Sequence, residues 1–268
     1  MRVEVLLSTM HQKNFDIVEK CNIKSDAVII NQCDEEKIET KKYDFGTVRM
    51  IYTKTRGLSK SRNMALENAK GDICIICDDD VVYYDNYASI TETAFSNNKN
   101  ADLIVFNIKS INTNIRKQEK LFKKVKKIPF YKSYSSVHIA FRREKIMEKK
   151  IKFDENFGSG SGIYSFAEDS LFFNDVHKNK LISIVYPAII AKLYSEKSSW
   201  FKGFNEKYFY DTGAFVAACY PRTKWLIKWY YPFRLINKSK LGLIKMIRYI
   251  NDGIKGYKKK LSFDNYYG

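Results

Sequence analysis

The chain has no apolar run approaching the roughly 18 residues of a membrane-spanning helix, which excludes a helical integral membrane protein. It has no internal repeat, so it is not a repeat array. Its five cysteines, Cys21, Cys33, Cys74, Cys77 and Cys219, are odd in number and scattered. That excludes a disulfide framework and fits free thiols in a reducing cytosol. Cys74 and Cys77 have the spacing of a metal or redox pair, but no second pair exists and both fall in a greasy segment, so they read as core. Histidine is scarce: His11, His138 and His177 are the only three, and none follows Lys178. Acid is in deficit, with 30 Asp and Glu against 47 Lys and Arg, a formal net charge of +17. The start, Met1-Arg2-Val3-Glu4-Val5-Leu6-Leu7, reads as a short strand and not as a secretion signal.

What is present is enough for a core: 268 residues, 45% of them apolar, support one domain and an appendage. The most informative segment is Ile73-Cys74-Ile75-Ile76-Cys77 followed by Asp78, Asp79 and Asp80. The apolar residues read as a strand buried on both faces. Ligands of open α/β sheets sit beyond the carboxyl ends of such strands, and carboxylates there are hard oxygen ligands for Mg²⁺ or Mn²⁺. Just upstream runs Arg56-Gly57-Leu58-Ser59-Lys60-Ser61-Arg62-Asn63. Ser59 or Ser61 is expected to cap a helix and Gly71 to end it. Leu58, Arg62, Ala65 and Ala69 share one helical face, and a helix start beside a glycine and two arginines suits a phosphate. Together the two segments suggest a nucleotide-diphosphate site.

Further strands are expected near Arg2 to Leu7, Ala27 to Asn31, Val48 to Tyr52 and Leu103 to Ile108, with helices near Lys13 to Lys20, Ser59 to Ala69 and Tyr87 to Asn97. This alternation predicts a mostly parallel sheet with helices on both faces. Residues 109 to 132 read as a basic, partly helical insertion, Ser136 to Phe141 as a return to the sheet, and Gly158 to Tyr164 as a mobile loop. Ser165 to Lys178 is expected to be a helix with Glu168 and Asp169 near its start.

The order Gly-Leu-Ser-x-x-Arg-Asn, then Gly71-Asp72, then the aspartate row resembles family 2 glycosyltransferases. So does the block Phe153-Asp154-Glu155-Asn156-Phe157-Gly158-Ser159-Gly160, with Ala167-Glu168-Asp169-Ser170 after it. The resemblance covers Met1 to about Tyr220. It implies the α/β fold of GT-A type, a Rossmann-like, mostly parallel sheet flanked by helices, and transfer of a sugar from a nucleotide-diphosphate donor with inversion. It implies that Ser8, Thr9, Asn31, Gln32, Gly57, Leu58, Ser59 and Arg62 contact the nucleotide, Asn31 and Gln32 standing where the family reads uracil. By the same resemblance Asp78 contacts ribose or sugar, Asp79 is a spacer and Asp80 holds Mn²⁺ or Mg²⁺, with Asp78 as a second metal candidate. Asp169 is the candidate general base and Glu168 its neighbour in the acceptor site. One departure is the missing late histidine that many GT-A enzymes use as a metal ligand. The corresponding stretch, Tyr194-Ser195-Glu196-Lys197-Ser198-Ser199-Trp200, offers Glu196 or a serine instead.

From Arg222 to Lys260 there are twelve basic residues against one acid, Asp252. Trp225, Trp229, Tyr230, Tyr231 and Phe233 lie among them. Basic amphipathic helices with such aromatics suit an anionic membrane surface, each cation near it contributing about 1 kcal/mol. The sequence thus reads as a catalytic domain, 1–220, and a basic helical appendage, 221–268. The expected partners are a nucleotide-sugar donor, a glycan or lipid-linked acceptor and the inner face of the cell membrane, with no nucleic acid. Two other classes compete with this reading. A nucleotidyltransferase needs a Gly-rich basic loop after the first strand, where this chain has Ser8-Thr9-Met10-His11-Gln12-Lys13. A non-catalytic binder of membrane or nucleic acid leaves the three aspartates unexplained.

Overall fold

In the computed structural model, which describes residues 1–111, 121–194 and 201–268, the chain divides into two compact units. The first comprises Met1–Arg56, Lys60–Phe153 and Phe172–Lys197; the second comprises Gly57–Ser59, Asp154–Leu171 and Ser198–Gly268. Chain order begins β1 (Val3–Met10), α1 (Asp16–Lys20), β2 (Asp26–Gln32), β3 (Lys37–Tyr43), β4 (Gly46–Thr53), α2 (Leu58–Asn68), β5 (Ile73–Asp78), β6 (Val81–Tyr83) and α3 (Tyr87–Asn97). It continues with β7 (Leu103–Ser110), β8 (Lys126–Lys127), β9 (Ile139–Arg142), α4 (Arg143–Glu148), α5 (Glu168–Lys178) and β10 (Ser183–Leu193).

The strands form one mixed sheet in the order β3-β4-β2-β1-β5-β9-β7-β10-β6, with β8 paired to β10. The run β4-β2-β1-β5 is parallel throughout, as is the pair β7-β10. Alternate residues serve opposite cores. Val5 and Leu7 of β1 join Ile73, Ile75 and Cys77 of β5 in one cluster, while Leu6, Cys74 and Ile76 join the other. This double burial is why these strands are written as continuous apolar runs. Each fully buried side chain of this size contributes about 1.5–3 kcal/mol. The outermost strand β3 is almost wholly solvated, and its lysines suit an edge that must not pair with another chain.

Two local expectations are corrected. Helix α2 starts at Leu58, and neither serine caps it: the Ser59 hydroxyl donates to the Phe157 carbonyl at 2.6 Å and the Ser61 hydroxyl to Ser8 Oγ at 2.8 Å. Gly71 does not adopt a left-handed cap; a Cβ there would lie 2.6 Å from the Glu4 Cβ, so it is small because β1 passes close by. Within the basic insertion, residues 121–132 carry the short strand β8, and residues 112–120, on which the expected helical character also bears, lie outside the described residues.

The second unit is built on α6 (Glu206–Cys219), α7 (Lys224–Leu235), α8 (Leu243–Lys259) and α9 (Phe263–Tyr267). Helices α6 and α8 cross where glycine faces glycine. A Cβ on Gly213 would overlap the Ile250 carbonyl oxygen, and one on Gly253 would overlap the Tyr210 carbonyl oxygen. Gly256 lies under the Tyr210 ring, whose hydroxyl donates to the Leu261 carbonyl at 2.8 Å. Among the described residues no helix is long and apolar enough to cross a membrane. Overpacking this crossing is expected to be costly. Gly253→Ala should lower the unfolding free energy by about 1–3 kcal/mol in urea melts, and an unchanged midpoint would show that the helices separate freely.

Candidate active site

The parallel pairing sets a row of polar residues at the carboxyl ends of three neighbouring strands. Ser8 is opposite Asp78, Thr9 opposite Asn31 and Met10 opposite Gln32. Ser8, Thr9, Asn31 and Gln32 are buried, and the three aspartates are half-buried. Each aspartate is tied differently. Arg62 Nη2 donates to Asp78 Oδ1 at 3.1 Å and Oδ2 at 3.2 Å. The Thr9 hydroxyl donates to Asp79 Oδ2 at 2.8 Å. The Asp80 carbonyl accepts from the Tyr194 N–H at 2.9 Å, which ties the turn to the end of β10.

Arg62 is only 2% exposed and its guanidinium lies over the Phe153 ring at 5.3 Å. Next to it, Asn63 makes a reciprocal pair with the same residue: its amide donates to the Phe153 carbonyl at 2.9 Å and accepts from the Phe153 N–H at 2.8 Å. Asn31 makes a similar pair with Gln12, donating to its carbonyl at 2.8 Å and accepting from its N–H at 2.9 Å. Its amide therefore shapes the turn after β1, where His11 has φ +55°. Arg56, one of the two arginines beside the helix start, clasps the far end of this edge. It donates to the Cys33 carbonyl at 2.9 Å and to Asp34 Oδ1 at 2.7 Å.

In the second unit, Gly57, Leu58 and Ser59 bind the segment that precedes α5. The Leu58 N–H donates to the Ser159 carbonyl at 2.9 Å, beside the Ser59–Phe157 bond. Gly57 has φ +119° and Gly158 φ +105°, conformations that a side chain resists. A Cβ on Gly158 would sit 3.1 Å from Ser59 Oγ and 3.2 Å from the Glu168 carboxyl carbon, so Glu168 lies against this joint. The loop beyond is closed by its own bonds, Gly158 N–H to the Tyr164 carbonyl and Tyr164 N–H to the Asn156 carbonyl, both 3.0 Å. Ala167, just before Glu168 and Asp169, has φ +86°. A non-glycine residue held there is strained, and such strain gathers at functional sites.

The same unit holds a cleft of about 360 Å³, lined by the loop from Gly158 to Phe166 together with Asn205, Tyr208 and Asp211. Asp211, which the sequence does not mark as a site residue, sits in the largely buried middle of α6. Its Oδ2 accepts from the Ser165 N–H at 2.9 Å and from Lys207 Nζ at 2.8 Å, while Oδ1 is buried with no partner among the described residues. Burial raises its carboxyl above the ordinary aspartate range, against the opposing pull of Lys207.

No group of three or more His, Cys, Asp or Glu among the described residues is placed to hold a metal ion. The donor set that is present, Asp80 with Asp78 on a half-buried turn, fits Mg²⁺ or Mn²⁺ as those ions bind beside phosphates: one or two carboxylates, with phosphate oxygens and water completing the shell. The stretch considered as a substitute for the late histidine, residues 195–200, lies outside the described residues. His138 is buried, its Nδ1 2.9 Å from the Phe106 carbonyl, and serves the core.

A family model described as glycosyl transferase family 2 matches residues 27–165, just over half of the chain. The chain belongs to glycosyl transferase family 2. It is a glycosyltransferase; the aspartate row and Phe153 to Gly160 fall within the matched span, and Glu168 and Asp169 lie just beyond its end. The fold is shared with solved structures of S. aureus TarS 1–349. The complex with UDP-GlcNAc aligns at a TM-score of 0.61 and 14% identity, covering 98% of this chain and 93% of that one. The complex with UDP aligns at 0.60 and 15%, with the same coverage. No curated protein matches significantly.

In this glycosyltransferase the Asp211 carboxyl has a signature in stability. Its folded-state proton is held more tightly than in the unfolded chain, so it subtracts stability as pH rises past the ordinary value of 3.8. Asp211→Asn removes that loss. Its unfolding free energy relative to the parent should therefore climb as pH is raised from 3.8 toward neutrality; a pH-independent difference would show the carboxyl to be unshifted.

Proposed function

We propose that the protein is an inverting glycosyltransferase that moves a sugar from a UDP-sugar to a hydroxyl of a glycan or lipid-linked acceptor. The observation that carries this reading is the carboxyl edge of β1, β2 and β5, where three aspartates are held by Arg62, Thr9 and a backbone bond. A row of carboxylates so maintained has no use in a plain core. It is suited to a diphosphate bound through Mn²⁺ or Mg²⁺, which when bound neutralises the charge of the departing diphosphate. TarS supports the choice of base, since that protein is seen with UDP and with UDP-GlcNAc.

In this reading Ser8, Thr9 and Gln32 border the nucleotide, Asp78 and Asp79 the ribose and sugar, and Asp80 the cation. Asn31, Leu58 and Ser59 act by holding the backbone that surrounds the donor. Asp169 takes the proton of the acceptor hydroxyl as its oxygen bonds to the anomeric carbon. The bond from that carbon to the diphosphate oxygen breaks, and the nucleoside diphosphate leaves with its electron pair. Glu168, against Ser59 and Gly158, orients the acceptor loop. The cleft beside Asp211 receives the acceptor, offering aromatic faces and hydroxyls that suit a sugar ring. Residues 1–220 carry the chemistry, and residues 221–268 hold the protein peripherally on the inner face of the cell membrane.

Asp169→Asn should lower turnover by roughly 10²–10⁴-fold, the usual worth of a general base, with UDP binding kept near the parent's. Asp80→Asn should weaken Mn²⁺-dependent UDP binding. Parental turnover in Asp169→Asn, followed by UDP release under saturating acceptor, would remove the base assignment.

A further inference from the structure

Helix α7 shows solvent an apolar face. Trp225, Leu226, Trp229, Tyr230, Phe233 and Ile236 are each between 42% and 62% exposed. At roughly 100° per residue they fall within an arc of about 140°. The opposite side packs on the second unit: Pro232 and Leu235 are buried, Ile227 and Tyr231 join its core, and Lys228 Nζ donates to Asn251 Oδ1 at 3.2 Å. Six large side chains in one patch mark a surface that is covered in use.

The charges say what covers it. Arg234 borders the arc on α7 itself, and its guanidinium donates to the Tyr230 hydroxyl at 2.7 Å. On helix α8, Met246, Ile250 and Gly253 are buried, while Lys245, Arg248, Lys255 and Lys259 are exposed and share a narrow arc on its other side, with Asp252 among them 3.8 Å from Arg248 and 3.5 Å from Lys255 and the exposed Ile244 alongside. A second copy of the chain would bring two segments of twelve cations and one acid face to face. A bilayer with anionic headgroups offers the complement to both features, apolar depth for the aromatics and negative charge for the basic row. Tryptophan, tyrosine and snorkelling lysine are the residues that settle at that boundary.

We infer that α7 lies flat in the headgroup layer of an anionic membrane, with Trp225, Trp229 and Phe233 inserted and the cations of α8 supplying attraction. This deepens the membrane association proposed above and rests on no catalytic residue.

The test uses the intact protein with vesicles of phosphatidylcholine, alone or mixed with phosphatidylglycerol. Co-sedimentation should require phosphatidylglycerol, and tryptophan emission should shift to the blue on binding. Replacing Trp225, Trp229 and Phe233 together by serine should lower the partition coefficient at least about tenfold. Because these side chains are exposed, the thermal midpoint and UDP binding should stay at parental values, and a parent that binds the vesicles but not UDP would count against the catalytic reading alone. Three results would overturn the inference: no binding to mixed vesicles, undiminished binding by the triple variant, or a parental dimer that the triple variant dissolves. Lys245→Gln with Arg248→Gln and Lys255→Gln should lower the phosphatidylglycerol dependence; an unchanged dependence would remove α8 from the account.

Discussion

Three adjacent carboxylates at the end of a buried strand repel one another, and the first unit is arranged around that repulsion. The Arg62 guanidinium is stripped of water, so it depends on Asp78 as much as Asp78 depends on it. Losing one partner of such a pair leaves the other uncompensated, a loss of about 3–5 kcal/mol in buried cases. Thr9 takes up Asp79, and the turn carrying Asp80 is pinned through its carbonyl to β10. One electrostatic problem thereby ties α2, β1, β5 and β10 to a single geometry. That rigidity is what a site needs if it is to hold a diphosphate without rearranging.

The two sequence motifs are joined by hydrogen bonds that no ligand is needed to make. Asn63 holds Phe153 within the first unit, and Leu58 and Ser59 hold Ser159 and Phe157 within the second. Several residues whose type suggests ligand contact therefore spend their polar groups on the protein. Asn31 is the plainest case, with both ends of its amide engaged by the Gln12 backbone. Their importance to function is through placement, and it would be felt first in stability.

Much of the sheet was legible because buried parallel strands announce themselves as apolar runs, and β1, β2, β4, β5 and β7 all do so. The strand β10 was not, because Pro187 interrupts it; the register shifts between Tyr186 and Ala191 fall beside that proline. Edge strand β3 was hidden by its lysines. The row Asp78 to Asp80 and the pair Glu168 and Asp169 could be read from pattern and resemblance. Asp211 could not, since a single acid four residues from a lysine in a helix looks like a surface pair, and only the packing of the second unit shows it buried. The outward face of α7 was also beyond reach, because a run of aromatics does not say which side is covered.

In the proposed function the aspartate row binds a diphosphate through a divalent cation. The direct measurement is the thermal midpoint of the intact protein with UDP, in Mn²⁺ and in excess chelator. A rise of several degrees that needs both UDP and Mn²⁺ is expected, because a ligand bound only by the folded state stabilises it. An equal rise in chelator, or no rise with any nucleoside diphosphate, would contradict it.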